Sequence, residues 1–204
     1  WAVLDSASSR KLSWYAMREA YRPRVLHFSG VERRLILIND TSGSWSETLK
    51  VWLVSSDGQV LETKAREVVL GARSQAAFDL NELFDASDIY ATNGYLIAEL
   101  DGIRTARRVL DKAVATVCPH NVELVAQIKG TSVKVHATAN CFIHELSLLP
   151  ELVAQDRVNV SQERVTLLPG EEIDFTIETT NQSDAQLVAQ SIEKITWSLN
   201  RLMN

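Results

Sequence analysis

The hydrophobic pattern of the chain changes period near residue 23 and restarts near residue 120. Before the first change it is helical. Leu12, Tyr15, Ala16, Glu19 and Ala20 fall at helical spacing, and Trp14, Met17 and Tyr21 widen the apolar side, which predicts one helix ending at Tyr21. Ser8 or Ser9 supplies a side-chain oxygen to cap its first turn. Pro23 stops it, because proline excludes the helical conformation at the residue before it. A helix this short is marginal alone. With so many aromatics it requires a surface to lie on.

Beyond Pro23 the period is two. Alternation predicts seven strands, at 24–29, 34–39, 48–55, 60–69, 74–80, 94–100 and 105–110. Turn chemistry separates them: Asp40 to Gly43, Asp57–Gly58 and Asp101–Gly102, with 81–87 read as a loop holding one helical turn. Seven short strands at regular spacing are the pattern of a β-sandwich. The pattern then restarts, with strands at 122–127 and 133–139 around Lys129–Gly130 and partial alternation over 139–148. Stretches 158–160 and 164–167 lead to the turn Leu168-Pro169-Gly170-Glu171, and 174–179 follows. In the tail, Val188, Ile192, Ile195, Leu199 and Leu202 suit a helix, whereas Ile195, Trp197 and Leu199 suit a strand. The reading is a short helix near 184–190 and a closing strand near 194–199. The seam falls at 117–121, with no Gly/Ser-rich linker. The organisation expected is therefore a helix over 1–22, a sandwich over 23–117 and a second sandwich over 118–204.

Composition agrees with that division. A chain of 204 residues with 46 % hydrophobic and 23 % charged positions is long enough for two domains, each with its own core. A net charge of −5 argues against nucleic acid as a partner. The pairs Arg33–Arg34 and Arg107–Arg108 read as charges guarding strand edges. No run approaches the roughly 18 apolar residues of a membrane helix, so no membrane partner is expected. The opening residues carry no signal-peptide pattern and no initiator Met, which reads as a cut piece of a longer chain, with a cytoplasmic parent the expectation.

Candidate chemistry changes the picture little. Glu171 and Glu172 are adjacent, so in a strand they point to opposite faces. Asp85 and Asp88 suit helix capping. The histidines are His27, His120, His136 and His144, and the cysteines Cys118 and Cys141. Zinc wants local ligand pairs, and Cys141 with His144 is the nearest approach, without a matching second pair. No metal and no cofactor is expected. The cysteines read either as buried thiols or as a strand-bridging pair. No serine sits in a nucleophile elbow. Trp45, in the polar turn DTSGSWSE, is the candidate exposed platform for stacking on a sugar, against the alternative that it covers the neighbouring domain or a sandwich end. Trp197 reads as filling a core or sealing the joint.

Trp1, Asp5, the serines from Ser6 to Ser9, Lys11, the aromatic-rich stretch from Trp14 to Tyr21, and Pro23 resemble the end of the catalytic barrel in β-mannosidases of glycoside hydrolase family 2. A second match is Val165 to Glu171, VTLLPGE, which is similar to a strand and turn in the last domain of that family. Where the family carries an Asp-Asn-aromatic-Phe-Asp run before that turn, this chain has Asn159-Val160-Ser161 through Arg164. The resemblance implies a mainly β fold: two immunoglobulin-like β-sandwich domains, preceded by a helix left over from a (β/α)8 barrel. It also implies that the catalytic glutamates lie upstream of Trp1, so no catalytic residue is assigned here. β-Galactosidase, β-glucuronidase and exo-β-glucosaminidase share parts of this plan.

The expected function is that of a non-catalytic accessory region that braces the barrel of a glycoside hydrolase. The barrel of the parent chain is then the partner, and self-association through the exposed helix is expected in the isolated piece. The alternative is a carbohydrate-binding module for mannan-type oligosaccharides. A third reading, an adhesion-type sandwich pair, leaves the helix with nothing to cover.

Overall fold

The computed structural model describes residues 3–4, 10–29, 34–92, 94–109, 119–154 and 156–202. Ser8, Ser9, Arg33 and Cys118, and with Cys118 the pairing of the cysteines, lie outside the described residues. Among the described residues the fold is mainly β, with four antiparallel sheets. The chain divides into two compact units, Arg18–Thr116 and a unit that joins Trp1–Met17 to Val117–Asn204. Helix α1 (Leu12–Ala20) ends ahead of Pro23.

The first unit holds β1 (Arg24–Phe28), β2 (Arg34–Asn39), β3 (Trp45–Val54), β4 (Val60–Leu70), β5 (Ser74–Asp79), α2 (Ala86–Thr92), β6 (Tyr95–Leu100) and β7 (Ile103–Arg108). One sheet is ordered β1-β2-β5 and the other β4-β3-β6-β7. Alternation sends Leu35 and Leu37 of the first sheet, and Leu49, Val51, Leu53, Leu96 and Leu100 of the second, into one shared core. The turns follow from their residues. Asp101 and Gly102 have φ of 52° and 71°, the left-handed pair that a two-residue hairpin loop requires between Leu100 and Ile103. Gly94 is fixed by space, since a Cβ there would lie 1.9 Å from the Val54 carbonyl oxygen. The inward position that ends β2 is polar. Asn39 is fully buried, and its amide donates to the carbonyls of Gly43 and Gly71, both at 2.8 Å. Its oxygen accepts from the Thr41 backbone N–H and hydroxyl. One side chain thus ties the β2–β3 turn to the β4–β5 turn with its hydrogen-bonding groups satisfied.

The second unit holds β8 (Val122–Lys129), β9 (Ser132–Ala139), β10 (Ile143–Leu148), β11 (Asn159–Val160), β12 (Val165–Leu167), β13 (Glu172–Glu178), α3 (Gln182–Gln190), α4 (Ile192–Ile195), β14 (Thr196–Trp197) and α5 (Leu199–Leu202). Its sheets are ordered β11-β13-β9-β8 and β12-β10-β14. Val133, Val135, Phe175 and Ile177 meet Ile143, Leu146 and Leu148, and the helices add Ala185, Val188 and Ile195 to the same core. Asn181 caps α3 by accepting from the Asp184 N–H, so this helix starts two residues earlier than its apolar spacing suggests. The expected closing strand is only two residues long, because β10 bulges opposite it. Its register with β12 shifts between Ile143 and Leu146. Glu145 and Arg164 there take φ of 58° and 53°, a conformation that side chains disfavour. A bidentate ion pair of 2.5 and 3.2 Å between them offsets that cost. Thr166 Oγ1 and Ser147 Oγ accept from the two backbone N–H groups.

Candidate functional site

Trp45, the candidate sugar platform, is a core residue. It is 2 % exposed and packs in the first sandwich, with the Arg24 guanidinium 5.3 Å from its ring. The reason is register: β3 begins at Trp45 rather than Thr48, so Trp45 shares parity with Leu49, Val51 and Leu53 and points inward with them. Parity with those three leucine and valine positions was the signal in the sequence. The turn composition around Trp45 outweighed it. Trp197 is half-buried on β14, opposite Ser147.

The carboxylates singled out by sequence are placed as structural groups. Asp85 Oδ1 accepts from the Ser87 N–H and hydroxyl at the start of α2. Glu171 Oε2 accepts from the Leu168 N–H and closes its turn at 2.9 Å, while Glu172 points outward. The histidines scatter. His27 is exposed, His144 is buried, and His120 bonds Ser198. His136 stands on the outer face of the four-stranded sheet, with Nδ1 2.8 Å from Asp174 and Nε2 3.7 Å from Glu172. The Asp174 bond, with the charges of Asp174, Glu172 and Glu123, raises its pKa from the ordinary value. Cys141 Sγ lies 2.8 Å from the Pro119 carbonyl. Among the described residues no group of three His, Cys, Asp or Glu is placed to hold a metal ion.

The cluster that sequence reasoning missed joins the two ends of the second unit. Tyr15 of α1 is fully buried, and its hydroxyl donates to Glu151 Oε1 at 2.6 Å. Arg10 donates to Asn159 Oδ1 at 3.1 Å, lies 4.0 Å from Glu151 and covers the Trp14 ring at 4.4 Å. Glu163, 3 % exposed, adds its charge. Burial first, then the Glu151 hydrogen bond and the two carboxylate charges, push the Tyr15 phenol well above its ordinary pKa. The phenol therefore stays protonated and acts as a hydrogen-bond donor, a tether rather than a general acid or base. Its partners lie 136 positions away in sequence, and no local pattern announces them. Tyr15 is thus no part of an exposed aromatic face.

The sequence matches no known protein family and no curated protein. Solved structures do match. An exo-chitosanase, CsxA, from Amycolatopsis orientalis superposes with a TM-score of 0.65 at 15 % identity, over 91 % of this chain and 27 % of that one. A β-D-mannosidase from Dictyoglomus thermophilum superposes with a TM-score of 0.64 at 14 % identity, over 97 % of this chain and 24 % of that one. The chain shares their fold. It spans about a quarter of the length of each, and at these identities the likeness speaks of fold alone.

Proposed function

We propose that this chain is a non-catalytic accessory region of a glycoside hydrolase, resembling the C-terminal region of family 2 β-mannosidases, and that it braces the catalytic barrel of its parent. The observation that carries this reading is the pair of matches: nine-tenths or more of this chain superposes on a quarter of an exo-chitosanase and of a β-D-mannosidase. The stretch from Trp1 to Pro23, similar to the end of a family 2 barrel, points the same way. What supports the immunoglobulin-like assignment of the first unit is its seven described strands in two sheets of three and four that close over one core.

The helix supplies the contact. With Tyr15 seated in the second unit, α1 still offers Met17, 46 % exposed. Trp14, half-buried, precedes Met17 by three. Exposed apolar groups at helical spacing fit a docking stripe for the parent barrel. The test is an assay of the purified 204-residue chain on an aryl β-mannoside and an aryl β-glucosaminide. No turnover is expected on either, and the coding sequence upstream of Trp1 is expected to specify a barrel with two strand-end glutamates. Robust turnover, or an upstream sequence without such a barrel, overturns the proposal.

A further inference from the structure

The four-stranded sheet of the second unit ends on β8, which pairs with β9 on one side and, among the described residues, with no strand on the other. Its core-facing positions are Val122, Leu124, Ala126 and Ile128, opposite Ala139, Ala137, Val135 and Val133. All four are apolar. Ile128 is 44 % exposed, and Val125 on the outer face is 46 % exposed. The Asn140 N–H donates to the Asn121 carbonyl, so alternation turns the N–H and C=O of those same four residues away from β9. Helices α3 and α4 add their apolar residues to the core beneath β8, and among the described residues no hydrogen bond reaches its outer edge.

The long edge of the first unit is built otherwise. On β4, Glu62, Lys64 and Arg66 share parity with the buried Val68 and Leu70. Inward charges of this kind make pairing with another sheet costly. Strand β8 has no such guard: its two charges, Glu123 and Lys129, stand exposed on the outer face.

We propose that β8 is a homodimer interface, along which two copies of this chain pair antiparallel about a two-fold axis at Ala126. In that register Leu124 of one copy faces Ile128 of the other and Ala126 faces Ala126. These are residues whose N–H and C=O point to the edge, so the two strands bond to each other, and their side chains continue one apolar layer across the joint. On the outer face Glu123 of each copy stands opposite Lys129 of the other, and the symmetry makes that pair twice. The charges select the register. With the axis one residue away in either direction, Glu123 faces Gln127 or Thr131 instead. A single strand pair is smaller than the roughly 1,200 Å² of a stable interface, so the dimer forms as concentration rises and is not permanent.

Sedimentation of the whole chain from low-micromolar to near-millimolar protein, with NMR hydrogen exchange at both ends of the range, tests this. A monomer–dimer equilibrium is expected, with the amides of Leu124, Ala126 and Ile128 protected only in the dimer. The amides of Glu123, Val125 and Gln127, already turned toward β9, are expected to change less. Glu123→Lys sets like charges opposite each other and is expected to raise the Kd about tenfold or more. Adding Lys129→Glu restores opposite charges and is expected to return the Kd to within about threefold of the unaltered chain. Both positions are exposed, so both variants are expected to fold. A monomer throughout the range overturns the proposal. So does a dimer whose edge amides exchange as in the monomer, or one indifferent to Glu123→Lys, because either pairs through another surface such as α1.

Discussion

The two units have nearly the same sheet plan and hold themselves together differently. Nine of the ten buried polar residues found among the described positions lie in the second unit, and the first has Asn39 alone. The first is an alternating-pattern sandwich whose two sheets close over aliphatic side chains and Trp45. The second has a shorter second sheet, with β12 and β14 of three and two residues. It completes its core with helices, and it fixes its termini with specific hydrogen bonds. Apolar burial is tolerant of detail, whereas a buried donor or acceptor is tolerable only with its partner in place. The first unit should therefore be sensitive to lost volume and the second to lost partners.

Trp45→Ala strikes the first unit hardest. Removing so large a core side chain is expected to cost about 3–5 kcal/mol, seen in calorimetry as a lowered transition for the first sandwich with that of the second in place. A shift of both together breaks the contrast. Tyr15→Phe probes the second unit with almost no change of volume. It leaves the largely buried Glu151 without its phenol donor, and a loss of about 1.5–3 kcal/mol is expected in denaturant titration. No loss would mean that the tether is dispensable. Asp174→Asn, on the exposed face, is expected to leave stability at neutral pH unmoved and to return the His136 midpoint toward about 6.5 in an NMR titration. The raised pKa means that the pair favours the fold at low pH and loses its effect as pH rises through that value.

What the sequence disclosed follows the same division. All seven strands of the first unit were legible, because a sandwich buried on one face writes its register as alternation. The errors there are at boundaries: β3 starts at Trp45, and β7 at Ile103 instead of Thr105. The loop expected to hold a single helical turn has one, a 3-10 turn at Leu80–Glu82, and helix α2 from Ala86 follows it. In the second unit the long strands β8, β9 and β13 and helix α3 were legible, and the stretch after α3 only in part, since the closing strand is the two residues of β14. Ile195 serves helix α4 and the core at once, and Asn200 does the work of a strand residue with its side chain, which no periodicity encodes. The tether of Tyr15 was invisible for a simpler reason: hydrogen bonding across 136 positions leaves no local trace.

Asn39 limits how the first sandwich can be altered. Since a single carboxamide grips the chain at Gly43 and at Gly71, the two connections flanking β3 and β4 cannot vary independently. Anyone grafting a new loop into either connection must preserve the carbonyl that this amide expects, or rebuild both ends of the arrangement together.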